Sequence, residues 1–350
     1  MGVNRRDFLV SSALAGAGLA ASTGRAADAP APQPERRQAV LKVSSQEGGI
    51  PGKDLSEKLD NMEKWGIEGL EVGSAIGQEK RLSEALQNRK VRMSAICMGA
   101  LGGNLVSPDP QARERAAEEF KRHLTAAGAI GSTGCIFVPC FTGDQNRNDQ
   151  EVRKLLSATV AGKAIANTAG RRHEEIRKIL VDMLGPIGEH AVKCNTHVLL
   201  EPLNRGEAWY LRQLADAASI CRDTKSEGVG LMGDFYHMSR EETSLMGAFI
   251  SAGKYLHHIH LASYSRVLPG QDAGPGDPNF VPPPPGQTFV YEGAMAKAPD
   301  RYTYLEGFRG LKIIGYQDYM SFECGCRGKR EEEIPKCVAF LREMWEMARA

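Results

Sequence analysis

The feature that most constrains the fold is a regular alternation of strand-like and helix-like segments after residue 39. The strand-like segments are short and apolar, and they span residues 40–45, 69–73, 91–98, 135–141, 197–202, 230–235, 256–262 and 319–323. The segments between them have apolar residues at helical spacing, at residues 54–65, 81–88, 110–127, 174–195, 211–224, 245–252, 304–311 and 331–348. Residues 185–186, Gly-Pro, are a candidate interruption of the fourth helix.

Eight successive strand–helix units fit either a doubly wound sheet or a closed barrel. The chain has no Gly-x-Gly-x-x-Gly turn after its first strand, which disfavours the doubly wound sheet. We therefore predict an α/β fold, a (β/α)8 TIM barrel formed as a single domain by residues 40–350. Barrels of this length are commonly one domain.

Two connecting segments are longer than ordinary loops, residues 142–172 and residues 263–301. The second is a long insertion after strand 7, and it contains four consecutive prolines at positions 282–285. A connection that follows a barrel strand lies on the face that carries catalytic residues. Residues 263–301 could form a lid over the site, or they could be an insertion that is disordered or contacts another subunit. The second interpretation allows for a homo-oligomer.

The N-terminal segment is expected to be a targeting signal rather than part of the fold. Residues 4–9, Asn-Arg-Arg-Asp-Phe-Leu, resemble the twin-arginine (Tat) export motif of bacteria. The apolar run that follows is short and rich in small residues, so we expect no stable membrane anchor. We assign residues 1–29 to a Tat signal peptide and residues 30–39 to a linker. This predicts contact with the Tat translocon and a periplasmic protein; a Sec signal or an uncleaved anchor is the alternative.

Overall charge and cysteine content exclude some classes of function. The chain has 44 basic and 43 acidic residues, a net charge of +1, so we expect no nucleic-acid partner. Its eight cysteines form no zinc-binding framework. Most lie in apolar patterns typical of small core residues, although an oxidising compartment would permit disulfides.

Four acidic or histidine side chains lie at the carboxyl ends of four successive predicted strands: Glu201, Asp234, His260 and Glu323. In a barrel these strand ends converge on one mouth. A carboxylate buried there is costly unless it is paired or binds a metal. Three carboxylates and one imidazole suit Mn²⁺, Mg²⁺ or Co²⁺, with Zn²⁺ as a further candidate. His258 shares a strand face with His260, so either histidine could be the ligand.

At these residues the chain resembles the xylose-isomerase-like barrel superfamily, and within it the ketose 3-epimerases of the tagatose/psicose type. The resemblance implies that Glu201, Asp234, His260 and Glu323 bind one divalent metal ion. It also implies three substrate-contacting residues at fixed offsets from those ligands, namely Glu207, His237 and Arg266. The offset to Arg266 favours His260 over His258. The resemblance is sharp only between residues 197 and 325.

The resemblance implies chemistry that suits these residue types. A metal that binds a sugar carbonyl oxygen and the neighbouring hydroxyl acidifies the proton on the adjacent carbon. With Glu201 and Glu323 on opposite sides, one removes that proton and the other returns it, through a cis-enediolate. Arg266 and His237 would stabilise the developing oxyanion, and Glu207 would orient terminal hydroxyls. We therefore expect a sugar isomerase or epimerase that acts on a free ketose or keto-sugar. Among the reactions of this class, 3-epimerisation is the one that the resemblance favours.

Several alternatives remain open at the level of sequence. Aldose–ketose isomerases, hydroxypyruvate-type isomerases and dehydratases or lyases of 3-keto-glycosides share the metal-enediolate step. The superfamily also includes three-zinc abasic-site endonucleases, but these need histidines on the second and third strands, where residues 69–73 and 93–97 have none. A periplasmic sugar-binding protein without catalysis is the alternative outside enzymes. It would not need both Glu201 and Glu323.

Overall fold

Eight parallel strands pair in chain order, and the last pairs with the first, so that the sheet closes into a barrel. The computed structural model describes residues 37–141, 162–208, 210–272 and 300–349. The strands are β1 (Lys42–Gln46), β2 (Gly69–Val72), β3 (Arg92–Gly99), β4 (Gly134–Phe137), β5 (His197–Leu200), β6 (Val229–Asp234), β7 (Leu256–Leu261) and β8 (Tyr319–Phe322). The predicted α/β class and single (β/α)8 barrel are confirmed.

Helices follow the strands along the chain. In the described ranges they are α1 (Leu55–Trp65), α2 (Glu79–Leu86), α3 (Pro110–Ala129), α4 (Gly162–Lys193), α5 (Leu214–Thr224), α6 (Phe235–Glu241), α7 (Leu245–Ala252), α8 (Asp300–Ile314) and α9 (Arg330–Met347). Short 3-10 turns occur at Glu47–Gly49, Leu101–Val106 and Gly253–Tyr255.

Helix α1 illustrates how local sequence sets an element's limits. The Asp54 side chain accepts a hydrogen bond from the Glu57 N–H and so caps the helix N-terminus. One face of the helix is apolar and buried, as its spacing predicts. The helix ends at Gly66, whose φ of 73° lies in the left-handed region that a side chain disfavours.

The apolar core consists of one large layer and two small clusters, one of which lies just beyond the strand ends at Ala100, Val138, Leu203 and Ala208. The larger layer packs the outer faces of the strands against the helices. A separate small cluster takes one buried residue from each of four neighbouring strands: Ala95, Ile136, Leu199 and Met232. This set fills the barrel interior beneath the strand ends, and it makes the barrel a packed core rather than a pore.

Some details differ from the sequence expectation. The interruption expected at Gly185-Pro186 is wrong, because α4 continues through Pro186 to Lys193. Gly188 allows the helix to pack closely on Ser226 and Val229, because an added Cβ would lie 2.5 Å from their side chains, and a proline removes one N–H without ending a helix held by such packing. The short helix α6, directly after β6, was not expected. The predicted signal peptide and the proline run at 282–285 lie outside the described residues.

All eight cysteines lie within the described ranges and are free thiols. Most were expected to be core residues; four of the eight are buried, Cys135, Cys140, Cys221 and Cys337, and the other four are partly exposed. In the described part of the chain, no helix is both long enough and apolar enough to span a membrane.

Candidate active site

The four residues expected to bind a metal are brought together at the carboxyl ends of β5 to β8. Glu201 and Glu323 each follow the last residue of a strand, and Asp234 is the last residue of β6. In the sheet register Asp234 pairs with His260 of β7. One potential ligand atom from each of the four residues lies within 4.8 Å of the others. Because β5 to β8 are neighbours in the barrel, residues that are far apart in the sequence form one compact cluster.

The imidazole of His260 lies at the centre of this cluster. Its Nδ1 is 3.2 Å from Glu323 Oε2, 3.8 Å from Glu201 Oε1 and 4.0 Å from Asp234 Oδ2. His258, the alternative ligand, instead places its Nε2 2.8 Å from the carboxylate of Glu71. The geometry thus selects His260 over His258 for the four-residue cluster.

Two atoms of the cluster test whether a cation fits there. Asp234 caps α6 through Oδ1, which accepts a hydrogen bond of 2.7 Å from the Tyr236 N–H. Its Oδ2 is buried without a hydrogen-bond partner, and so is Nδ1 of His260. Unsatisfied buried polar atoms are costly, and both of these belong to the one cluster. A shared divalent ion would satisfy both, so the residues fit a metal with oxygen and imidazole ligands.

Electrostatics also favour a cation in this place. Burial, together with the charge of Glu323, raises the pKa of Asp234 to about 7. Burial raises the pKa of Glu201 well above its usual range. Burial acts to lower the pKa of His260, but the carboxylates of Glu71 and Glu323 outweigh it and hold that pKa well above 6.5. Without a metal, protons must neutralise the crowded carboxylates, and a divalent ion would replace them.

The three residues expected to contact substrate surround the same cluster. Arg266 donates from Nη2 to Glu323 Oε2 at 2.7 Å, and its Nη1 is 3.7 Å from Glu207 Oε1. His237 Nε2 is 3.5 Å from Asp234 Oδ2 and 4.0 Å from Glu201 Oε1. Glu207 is 40% exposed and lies at the outer edge. All three side chains therefore border the space above the candidate ligands.

Hydrogen bonds define which nitrogen of His237 carries its proton. Nδ1 accepts from the Asn204 backbone N–H at 3.1 Å and lies 2.8 Å from the Asn204 side-chain amide nitrogen. Burial and the nearby charge of Arg266 lower the pKa of His237 well below 6.5. His237 is thus neutral with its proton on Nε2, the nitrogen that faces the cluster. The Asn204 N–H decides this assignment, so the Nε2–H is the donor there and the 3.3 Å contact between Nε2 and Arg266 Nη1 is not a hydrogen bond.

A tight turn, Ser263–Val267, places Arg266. The Arg266 N–H bonds to the Ser263 carbonyl, and the Ser263 N–H bonds to the Val267 carbonyl. Arg266 has a φ of 54°, which is uncommon for a residue with a side chain. Its guanidinium rests on the Tyr236 ring, 4.4 Å from the ring centre. The turn brings Arg266 back to the mouth before residues 273–299, which lie outside the described residues.

Sequence reasoning missed two polar residues at this site, Glu71 and Gln46. Glu71 is fully buried on β2, and its carboxylate contacts both His258 and His260. Gln46, at the end of β1, donates from Nε2 to Glu71 Oε1 at 2.9 Å and to Glu323 Oε1 at 3.0 Å. Burial acts to raise the pKa of Glu71, but the positive charge of His260 and the histidine hydrogen bonds lower it below its usual range. The available signal was a lone acidic residue inside an apolar strand.

A cavity opens beside the cluster, on the side formed by β1 to β3. Its volume is about 480 Å³, and its lining residues are Gln46, Glu47, Gly48, Lys58, Glu71, Val72, Gly73 and Cys97. Cβ atoms added at Gly48 or Gly73 would meet no heavy atom within 4 Å. Because Gln46 and Glu71 both line the cavity and contact the cluster, the cavity adjoins the candidate metal site.

Comparison with known protein families gives one match that spans most of the chain. A sequence profile described as a xylose isomerase-like TIM barrel matches residues 59–344. A curated relative is the 3-dehydro-D-guloside 4-epimerase of Escherichia coli K12, which is 25% identical over 66% of this chain and 82% of its own length. A D-psicose 3-epimerase of Enterocloster bolteae is 24% identical over 63% of this chain and 70% of its own.

Solved structures share the fold at lower sequence identity. A 3-keto-D-glucoside 4-epimerase from E. coli superposes with a TM-score of 0.65 at 21% identity, covering 87% of this chain and all of that one. A D-psicose 3-epimerase from Clostridium cellulolyticum H10, determined with D-tagatose, also has a TM-score of 0.65, at 17% identity, covering 87% and 99%. These likenesses support the barrel fold.

Proposed function

The chain belongs to the xylose isomerase-like TIM barrel family, and from this membership we propose that it inverts a carbon next to the carbonyl of a free ketose or keto-sugar. Its curated relatives are named as epimerases of sugars or glycosides, so the chain is an enzyme of the sugar epimerase and isomerase class. The first reaction to test is 3-epimerisation, the reaction named for the psicose and ribulose relatives. Metal dependence is part of this proposal.

One observation carries the proposal: Glu201 and Glu323 lie in one cluster, and the Nδ1 of His260 is within 4 Å of both carboxylates. That nitrogen is 3.8 Å from one carboxylate and 3.2 Å from the other. Inversion of a carbon needs a base on one face of the sugar and an acid on the other. A binding protein has no use for two such carboxylates, which are costly to bury.

Glu201, Asp234, His260 and Glu323 would hold the divalent ion, for which Mn²⁺, Mg²⁺, Co²⁺ and Zn²⁺ are candidates. When bound, the ion supplies Lewis acidity that makes the proton beside the sugar carbonyl easier to remove. The close grouping of these four residues and the orphaned Asp234 Oδ2 support this assignment.

The chain's own residues would handle the proton and the charge. One of Glu201 and Glu323 takes the carbon-bound proton, giving an enediolate form of the sugar, and the other delivers a proton to the opposite face. The Nε2–H of His237 and the guanidinium of Arg266 both face this space and would donate to the developing oxyanion. Glu207, at the exposed edge, would accept hydrogen bonds from distal hydroxyls.

Solvent isotope exchange tests the two-carboxylate proposal. D-psicose is incubated in D2O with the Mn²⁺-saturated enzyme, and deuterium at carbon 3 and the appearance of the epimer are followed by NMR. We expect Glu201→Gln and Glu323→Gln to abolish epimerisation while one of them retains exchange, with the roles reversed when the assay starts from the product. Glu227→Gln, at an exposed position, is the control. Epimerisation at wild-type rate by both site variants would overturn the mechanism.

The products also separate the alternatives. Formation of an aldose would identify an aldose–ketose isomerase, and loss of water would identify a dehydratase. Binding of sugar without isotope exchange would identify a binding protein. Each outcome replaces the epimerase proposal with a named alternative.

A second candidate reaction is 4-epimerisation of a 3-keto-glycoside. It is favoured by the cavity of about 480 Å³ beside the cluster, which is of the size that holds drug-sized ligands. The cavity wall offers the polar groups of Gln46, Glu47 and Lys58, which suit hydroxyls of a glycosidic substituent. The name of the E. coli relative, a guloside 4-epimerase, points to the same class.

A further inference from the structure

The carboxylate of Glu71 is surrounded by donors from three other side chains. His258 Nε2 lies 2.8 Å from Oε2, and His260 Nε2 lies 3.1 Å from each oxygen. Gln46 Nε2 donates to Oε1 at 2.9 Å. Glu71 is 0% exposed, so no bulk water competes for these positions. A charged group in such a place is stable only when its oxygens are fully used, as they are here.

The hydrogen bonds to Glu71 determine that Nε2 carries a proton in both His258 and His260. An ionised carboxylate only accepts hydrogen bonds, so each histidine must present an N–H at Nε2. For a neutral imidazole, the other nitrogen then carries a lone pair. In His260 that other nitrogen is Nδ1, the atom 3.2 Å from Glu323 Oε2 in the candidate metal cluster.

We propose that Glu71 is a positioning residue that holds His260 in the tautomer whose Nδ1 binds the metal, and that Gln46 links Glu71 to a second ligand, Glu323. This inference rests on the metal site of the proposed function. Metal-binding histidines commonly donate their other ring N–H to a carboxylate, which orients the ring and raises its basicity.

Gln46 extends the same network to the proton-handling carboxylate. Its two amide hydrogens reach Glu71 Oε1 and Glu323 Oε1, at 2.9 and 3.0 Å. With Oε1 held in this way, Oε2 of Glu323 is the oxygen that faces His260 and Arg266. Residues at β1 and β2 thus orient ligands on β7 and after β8, across the closing seam of the barrel.

Glu71, His258 and His260 also form a group that could itself hold a metal ion. The contacts within it are 2.8 to 3.1 Å and match hydrogen-bond distances, and each has a donor and an acceptor. The Nε2 atoms and the Glu71 oxygens that face one another therefore need no ion between them, unlike the orphaned Asp234 Oδ2 of the four-residue cluster; the atom of His258 without a partner is Nδ1, on the other side of its ring. The positioning role predicts one metal equivalent per chain rather than two.

The test compares Glu71→Gln with Glu242→Gln, the same change at another buried glutamate, away from the cluster. A glutamine at position 71 can accept through only one oxygen, so one histidine loses its acceptor. We expect the Mn²⁺ dissociation constant, measured calorimetrically, to rise roughly 10- to 100-fold in Glu71→Gln and not in Glu242→Gln. In metal-free wild type, where His260 carries a proton on both ring nitrogens, the ¹⁵N NMR signal of its Nε2–H should report the hydrogen bond to Glu71, and Glu71→Gln should change that signal.

Two outcomes would overturn the proposal: unchanged Mn²⁺ affinity with an unchanged His260 signal in Glu71→Gln, or two metal equivalents in wild type and one in the variant. Gln46→Leu, at a partly exposed position, provides a second variant if Glu71→Gln does not fold. It should weaken Mn²⁺ binding less than Glu71→Gln does, and unchanged affinity would contradict the role of Gln46. Failure of wild type to bind metal would refute the proposed metal site, whereas the NMR signal of His260 reports on Glu71 independently.

Discussion

Arg266 and Glu323 form an ion pair, with Nη2 of the guanidinium 2.7 Å from Oε2 of the carboxylate. The pair joins a residue expected to stabilise oxyanions to one expected to move protons. The strained φ of 54° at Arg266 costs on the order of 1–3 kcal/mol, and the surrounding turn must maintain it. Strain of this kind is concentrated at functional positions.

We predict that Arg266→Gln lowers kcat/KM for the preferred sugar by roughly 100-fold, because a charged donor toward the oxyanion is lost. The control is Arg240→Gln, since Arg240 rests on the same Tyr236 ring, 4.0 Å from its centre. Steady-state kinetics with saturating Mn²⁺ checks both variants. Equal losses in the two would mean that stacking on Tyr236, rather than a charged donor toward the oxyanion, explains the loss of activity.

Asp234→Asn should separate metal binding from stability. The asparagine retains an oxygen that can accept from the Tyr236 N–H, but it places a neutral group where the orphaned Oδ2 lies. We expect Mn²⁺ binding to weaken at least about 100-fold, and the metal-free variant to be more stable than metal-free wild type because a repelling carboxylate is gone. Thermal unfolding with and without Mn²⁺ measures both effects. A metal-induced rise in Tm equal to that of wild type would remove Asp234 from the ligand set.

The contrast between Asp234 and Glu71 shows how far the sequence predicts this site. Asp234, like Glu201, His260 and Glu323, ends an apolar strand, so one barrel topology suffices to gather all four residues. Glu71 lies within β2, and nothing in its neighbours along the chain indicates that it faces His258 and His260, almost 190 residues away. Its role depends on which side chains meet inside a closed barrel, and pattern analysis of separate strands does not provide that information.

The fold itself was more predictable than its details, for a similar reason. Strand and helix positions follow from local periodicity, and α7 was predicted at its observed limits, Leu245–Ala252. The continuity of α4 through Pro186 depends on tertiary packing that outweighs the local cost of proline. The position of Arg266 depends on a turn closed by backbone hydrogen bonds rather than on sequence spacing.

Export by the Tat pathway remains a proposal based on Arg5 and Arg6. Changing both residues to lysine preserves charge but removes the paired arginines of the motif. We expect the precursor to accumulate in the cytoplasm of a bacterial host, as detected by fractionation and immunoblotting. Processed protein in the periplasm at wild-type levels would indicate a Sec signal instead.

Glu242 gives a pH-dependent contribution to stability that is independent of the active site. Burial is the main cause that raises its pKa from 4.5 to about 7, while a hydrogen bond from the Leu214 N–H acts against the rise. The folded state therefore retains a proton that the unfolded chain releases between pH 4.5 and 7, so stability falls as pH rises through this window. We predict that Glu242→Gln, which keeps an acceptor oxygen for Leu214, removes this loss.

Relative to wild type, the free energy of unfolding of Glu242→Gln should increase between pH 4.5 and 7 by an amount on the order of 2–3 kcal/mol, since each pH unit of that window is worth about 1.4 kcal/mol. Urea unfolding of metal-free protein at pH 5 and pH 8 provides the measurement. A difference between variant and wild type that is the same at both pH values would contradict the assignment.

Gly73 offers a direct way to test whether the cavity beside the cluster binds part of the substrate. A side chain added there meets no atom within 4 Å of its Cβ, so Gly73→Phe should fill cavity space without displacing the barrel. For a 3-keto-disaccharide we expect KM to rise about tenfold or more, a loss of roughly 1.4 kcal/mol in binding. For D-psicose, which needs only the space above the metal ligands, KM and kcat should change little.

Gly73→Ala is the matched control, since it adds a Cβ but little volume, and it should leave KM and kcat for both substrates nearly unchanged. Equal losses for both substrates in Gly73→Phe would show that the cavity is part of the monosaccharide site, and no loss for either would show that substrate does not enter it.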